Sequence, residues 1–105
     1  MEHRMSVIIP AYNEQDNVAA LAEAVRSSLA DANIPFELIF VDDGSSDQTW
    51  AAISAEAKAD SRIRGLRFSR NFGKESAIFA GLRAAKGDCC VVMDADLQHP
   101  PETLS

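Results

Sequence analysis

Phe36-Glu37-Leu38-Ile39-Phe40-Val41-Asp42-Asp43-Gly44-Ser45-Ser46-Asp47 runs from a mostly apolar, β-favouring segment into an abrupt polar turn. A strand with one wet face alternates apolar and polar side chains, whereas a strand buried on both faces, as in a parallel sheet, reads as nearly continuous. Ser6-Val7-Ile8-Ile9, ended by Pro10, and Cys89-Cys90-Val91-Val92-Met93 have the same character. Cys89 and Cys90 are therefore expected as reduced core residues. As strand neighbours they point to opposite faces and are poorly placed to bond to each other. Arg62-Ile63-Arg64-Gly65-Leu66-Arg67-Phe68 mixes charged with apolar residues and predicts a weaker, peripheral strand.

Between these runs the apolar residues recur at helical spacing: Val18, Leu21, Val25 and Leu29, then Trp50, Ile53 and Ala57, then Ile78, Leu82 and Ala85. Gly87 is expected just past the end of the third helix, where glycine commonly closes one. Strand, helix, strand, helix, strand, helix, strand predicts an α/β fold, a Rossmann-like parallel sheet with helices on both faces.

The 105 residues suffice for one small domain, 1–105, and show no repeat or linker. Hydrophobic residues at 47% and charged residues at 25% exclude a disordered or fibrous class. A net charge of −6 argues against a nucleic-acid partner. No stretch approaches the ~20 apolar residues that span a bilayer, and Met1-Glu2-His3-Arg4 lacks a signal peptide's apolar region, so a cytoplasmic location is expected. Pro100-Pro101-Glu102-Thr103-Leu104-Ser105 reads as the first turn of a fourth helix, which predicts a truncated chain.

In open parallel sheets ligands bind outside the carboxyl ends of the strands. The segments that follow the strands here carry an aromatic ring, several acids, an arginine and a lysine: Pro10-Ala11-Tyr12-Asn13-Glu14, Asp42-Asp43-Gly44-Ser45-Ser46-Asp47, Ser69-Arg70-Asn71-Phe72-Gly73-Lys74 and Asp94-Ala95-Asp96. Asp94 and Asp96, one residue apart after a buried strand, offer hard oxygens to Mg2+ or Mn2+, with Gln98 as a third donor; the alternative is a helix cap, although one cap needs only one acid. Asp42-Asp43 either hydrogen-bonds a ribose or base or forms a turn, with Asp47 or Ser46 capping the next helix. Tyr12 and Glu14 are base-stacking and base-accepting groups or an ordinary surface tyrosine and a helix-start acid. Lys74, at a helix start, suits a phosphate. Arg62 and Arg64 read as a solvated edge, and His99 as a loop residue.

With those residues in view, the chain resembles the family 2 glycosyltransferases, and within them the polyisoprenyl-phosphate glycosyltransferases. The resemblance rests on Ser6-Val7-Ile8-Ile9-Pro10-Ala11-Tyr12-Asn13-Glu14, on Val41-Asp42-Asp43-Gly44-Ser45-Ser46-Asp47, on Arg70-Asn71-Phe72-Gly73-Lys74 with Ala80-Gly81-Leu82, and on Met93-Asp94-Ala95-Asp96-Leu97-Gln98-His99-Pro100-Pro101-Glu102. It implies the nucleotide-binding half of a GT-A fold. Pro10, Tyr12, Glu14, Val41 and Asp43 would surround the base and ribose with Asp42 beside them, Lys74 would lie near the donor, and Ala95 would pass close to the nucleotide. Asp94, Asp96 and Gln98 would hold Mg2+ or Mn2+. The implied reaction is inverting transfer of a hexose from a UDP- or GDP-sugar to a polyprenyl phosphate, at the cytoplasmic face of the membrane in the full-length protein. Because the family's acceptor-side residues lie beyond this stretch, the chain alone is expected to be inactive and, with a sheet edge bared, to self-associate.

Two other classes remain in view. A receiver-type phosphoacceptor domain also places an acidic pair after one strand and a third acid after a later one, but gives Asp96 and Lys74 no role. A non-catalytic nucleotide-binding fragment would share the site without the reaction. A nicotinamide dehydrogenase is disfavoured because no Gly-x-Gly-x-x-Gly follows the first strand.

Overall fold

A computed structural model of the chain describes residues 4–95. The elements alternate as expected: β1 (Met5–Ala11), α1 (Val18–Asp31), β2 (Phe36–Asp42), α2 (Thr49–Ala59), β3 (Ile63–Arg67), α3 (Lys74–Ala84) and β4 (Cys89–Val92). The strands form one sheet in the order β3-β2-β1-β4. Every pairing is parallel, with Met5 opposite both Phe36 and Cys89, and Leu38 opposite Ile63.

The near-continuous apolar runs are explained by what covers the two central strands. Val7, Ile9 and Ala11 of β1 and Leu38 and Phe40 of β2 pack with Val18, Leu21, Ala22 and Val25 of α1 and with Ile53 of α2. The alternate residues Ile8, Ile39 and Val41 face the other way, onto Ala77 of α3. Helices therefore lie on both faces. Each fully buried Ile, Leu or Phe contributes ~1.5–3 kcal/mol through desolvation. Both central strands are buried along almost their entire length. α1 ends in a Schellman arrangement: Asn33 takes φ 57, its N–H donates to the Ala30 carbonyl (3.1 Å), and the Ile34 N–H donates to the Leu29 carbonyl (2.9 Å).

Three expectations are corrected. α3 does not turn its bulkiest residues inward: Ala77 and Gly81 are buried while Leu82 is 41% exposed. The reason is proximity, since a Cβ on Gly81 would lie 2.5 Å from Ile8 Cγ2. Gly87 does not close the helix, whose C-cap is Ala85 in an extended conformation. Instead it lets the chain pass against β1, where a Cβ would meet the Arg4 carbonyl oxygen at 2.5 Å. Cys89 and Cys90 are unbonded but exposed rather than buried. The sheet order makes β4 an edge strand among the described residues, with Val91 and Val92 39% and 42% exposed. β3 occupies the other edge, as its mixed composition predicts.

The amino ends of the strands are closed by a buried polar cluster. Glu37 accepts from Ser6 Oγ (2.6 Å), from the Lys86 N–H and from Arg64 (2.9 Å), while Gly87 N–H donates to Ser6 Oγ (2.8 Å). Burial alone would raise the Glu37 pKa, but the bonds from Ser6, the Lys86 amide and Arg64 outweigh it and hold the carboxyl at about 2. Among the described residues no helix is long and apolar enough to cross a membrane.

Candidate nucleotide-sugar site

At the carboxyl ends of the strands lies an open cleft of ≈ 240 Å³. β1 contributes Pro10 and Ala11 to its lining, the following loop Tyr12 and Glu14, the turn just after β2 Asp43, the start of α3 Lys74, and the segment after β4 Asp94 and Ala95. Residues spread over 86 positions thus meet at one place because the parallel topology returns every strand end to the same side. Of the residues expected at the nucleotide, Pro10, Tyr12, Glu14, Asp43, Lys74, Asp94 and Ala95 are here. Val41 and Asp42 do not line the cleft: Val41 lies beneath it among the residues facing α3, and Asp42 is fully buried. Asp96 and Gln98 lie outside the described residues, as do His3, His99 and the expected fourth helix.

The adjacent acids after β2 are each answered differently. Asp42 Oδ1 accepts from the Ser45 N–H (2.9 Å) and so makes the turn, while buried Oδ2 has no hydrogen-bond partner and Arg67 Nε stands 4.0 Å away. Gly44 completes that turn at φ 72, directly against the backbone of Arg70, where any Cβ would clash at 2.2 Å. Asp43 accepts from the N–H groups of Phe72 (2.8 Å) and Gly73 (3.0 Å) and from Asn71 Nδ2 (3.2 Å). This carboxylate therefore faces the cleft and also fixes the segment that opens α3.

Lys74 is the first residue of α3, where exposed amides and its ammonium group both favour an anion. Its Nζ pairs with Asp94 Oδ2 at 3.1 Å, with the two side chains 57% and 62% exposed. Such a solvated pair is worth at most ~1 kcal/mol and yields readily to a ligand. Among the described residues no cluster of three or more His, Cys, Asp or Glu side chains is fit to hold a metal ion. Asp94 nevertheless suits one edge of a Mg2+ or Mn2+ site, because such ions need only one or two carboxylates when phosphates and water complete the shell.

Several supporting residues were not singled out from the sequence. Asn71 Nδ2 bonds both the carbonyl and the carboxylate of Asp43. Asn17, the N-cap of α1, makes no side-chain cap; its Nδ2 reaches Glu14 Oε2 (3.3 Å) and the Ala95 carbonyl (3.5 Å). An asparagine three residues after Glu14, at a helix start, was the available clue. The expected cap Asp47 sits one residue before the N-cap Gln48 and accepts from the Thr49 N–H (2.9 Å). Arg70 stacks on Phe72, 4.6 Å from the ring centroid, and is not part of the cleft lining.

Comparison with known proteins bears on the fold and the family. The chain is 45% identical over 100 residues to CsbB of Bacillus subtilis (strain 168), covering 95% of this chain and 30% of that protein. It is 41% identical over 102 residues to the undecaprenyl-phosphate 4-deoxy-4-formamido-L-arabinose transferase of Serratia proteamaculans (strain 568), covering 96% and 31%. The chain thus spans less than a third of the length of the curated relatives it matches. Among solved structures, the mannosyltransferase PcManGT of Pyrobaculum calidifontis, in complex with GDP-Man and Mn2+, superposes with a TM-score of 0.79 at 27% identity, over 91% of this chain and 28% of that one. The sheet and its helices are accordingly of the GT-A type. The family model for Glycosyl transferase family 2 matches residues 6–105, nearly the whole sequence, and the chain belongs to that family.

Proposed function

We propose that this chain is the donor-binding part of a transferase that moves a hexose from a UDP- or GDP-sugar to a polyprenyl phosphate. The observation that carries this is the meeting of Tyr12, Glu14, Asp43, Lys74 and Asp94 around one cleft at the carboxyl edge of the sheet. The half-exposed Tyr12 ring stacks on the base, and Glu14 and Asp43 accept hydrogen bonds from base or ribose. Ala95 brings backbone close to the nucleotide without a bulky side chain. Lys74 leaves Asp94 to pair with the diphosphate, whose charge the α3 amino terminus also favours.

Asp94, with Asp96 and Gln98, holds Mg2+ or Mn2+ in this reading. When bound, the metal supplies Lewis-acid neutralisation of the departing diphosphate. A phosphate oxygen of the acceptor displaces the nucleoside diphosphate at C1 with inversion. Acceptor contacts come from residues beyond this stretch of a longer protein that works at the cytoplasmic face of a membrane, so the chain alone does not turn over. Detectable transfer to a polyprenyl phosphate by the purified chain would contradict that last point.

Calorimetric titration with UDP- and GDP-sugars, with and without Mn2+, tests the reading. Binding that strengthens with Mn2+, and loses that dependence in Asp94→Asn and Asp96→Asn, is the expected result. Failure to bind either nucleotide removes the reading; metal dependence that persists in both variants removes the metal site. A receiver domain is disfavoured by topology, since those folds order their strands 2-1-3-4-5 whereas this sheet follows the 3-2-1-4 half of the dinucleotide-binding order.

β4, an edge strand among the described residues, and its exposed valines support self-association by edge pairing. Light scattering checks it: a mass above the 11.4 kDa monomer is expected, and a clean monomer counts against it.

A further inference from the structure

We propose that Asn13 and Ser45 are positioning residues that lock the loop after β1 to the loop after β2, and thereby set Tyr12 and Glu14 for the nucleotide base. The inference rests on the nucleotide-sugar reading above.

The two loops are joined reciprocally. The Asn13 N–H donates to Ser45 Oγ at 2.8 Å, and the Ser46 N–H donates back to Asn13 Oδ1 at 2.9 Å. Asn13 adopts φ 53, a left-handed conformation that asparagine tolerates better than most residues. That conformation turns its amide and its side chain toward the same neighbour. The next residue continues the contact, because the Glu14 N–H donates to the buried Thr49 Oγ1 at 2.8 Å. These amides have no strand partner, so side chains of the other loop satisfy them.

Tyr12 and Glu14 flank Asn13 in sequence, and both line the cleft; Asn13 and Ser45 do not. A change in the Asn13 backbone rotates both neighbours at once. Removing the reciprocal bonds therefore costs affinity through orientation, with no ligand contact deleted.

The test is calorimetric affinity of the whole chain for UDP and GDP with Mn2+, measured beside the thermal midpoint, in Asn13→Gly, Asn13→Asp and Ser45→Ala. Glycine retains access to the left-handed region, so Asn13→Gly removes the acceptor without imposing strain. Asn13→Asp retains an acceptor oxygen. Expected are about tenfold weaker binding in Asn13→Gly and Ser45→Ala, the loss of roughly one hydrogen bond's worth of orientation, and recovery of most of the affinity in Asn13→Asp. The thermal midpoints stay well above the titration temperature. Wild-type affinity in Asn13→Gly and Ser45→Ala overturns the positioning role and leaves the nucleotide reading standing. Equal loss in Asn13→Asp, or loss that tracks unfolding, overturns it too. If the wild type binds neither nucleotide, both proposals fall.

Discussion

The two ends of the sheet use the same strands for opposite ends. At the amino edge, Glu37 of β2 is enclosed and bonded by Ser6, the Lys86 amide and Arg64. At the carboxyl edge, five residues along the same strand, Asp42 keeps a buried oxygen without a hydrogen-bond partner, and beyond it Lys74 and Asp94 stand paired in solvent. Charges enclosed and fully bonded hold a fold together, whereas charges paired only in solvent, as Lys74 and Asp94 are, remain available to a ligand. The difference says that stability and binding are separable here, and substitutions should divide accordingly.

Glu37→Ala should have the largest effect on stability. It strands the Ser6 hydroxyl, the Lys86 amide and one side of Arg64, for a loss of ~3 kcal/mol in denaturant unfolding. Nucleotide affinity, measured where the variant is still folded, should stay near wild type; a selective loss of affinity would erase the proposed division.

Acid probes the same edge. The folded Glu37 carboxyl is held at about 2, below its ordinary 4.5, so its contribution is complete above pH ~4.5 and disappears as pH falls toward 2. Asp60, held at about 2 chiefly by the Arg62 hydrogen bond against the opposing effect of burial, acts in the same direction. Unfolding free energies at pH 7 and pH 3 should differ less in Glu37→Gln than in the wild type. An equal fall in both would assign the acid sensitivity elsewhere.

Asp43→Ala sits between the two behaviours. It should cost ~1–3 kcal/mol, because the Phe72 and Gly73 amides lose their acceptor, and it should also weaken nucleotide binding. Hydrogen exchange resolved at those two amides should accelerate; unchanged exchange would mean the clamp is not what orders the segment. Asp94→Asn should be the gentlest to the fold, shifting stability by less than ~1 kcal/mol while Mn2+-dependent binding falls. A large loss of stability would place Asp94 with the enclosed charges instead.

Much of this was legible in the residues. The unbroken apolar runs of β1 and β2 announced strands covered on both faces, and reading the positions just after each strand found most of the cleft. What escaped depended on distance rather than hydrophobicity. Ile78 and Leu82 look like the inward stripe of α3, yet the approach to Ile8 admits only Ala77 and Gly81. The apolar composition of β4 describes a strand suited to burial but says nothing of its place at an edge. Nor does composition distinguish the two adjacent acids: both are buried, yet Asp42 is turned to the Ser45 amide while Asp43 lines the cleft. The reciprocal bonds of Asn13 and Ser45 join loops 32 residues apart and depend on a backbone angle that no spacing rule supplies.

The two thiols of β4 carry a practical consequence. As consecutive strand residues, Cys89 and Cys90 project from opposite faces of the sheet, and both are open to solvent. An internal disulfide between them is sterically disfavoured, so oxidative crosslinking of this chain joins one molecule to another. Non-reducing electrophoresis therefore becomes a covalent record of encounters at that edge, and a reductant is needed wherever the true oligomeric mass is to be weighed.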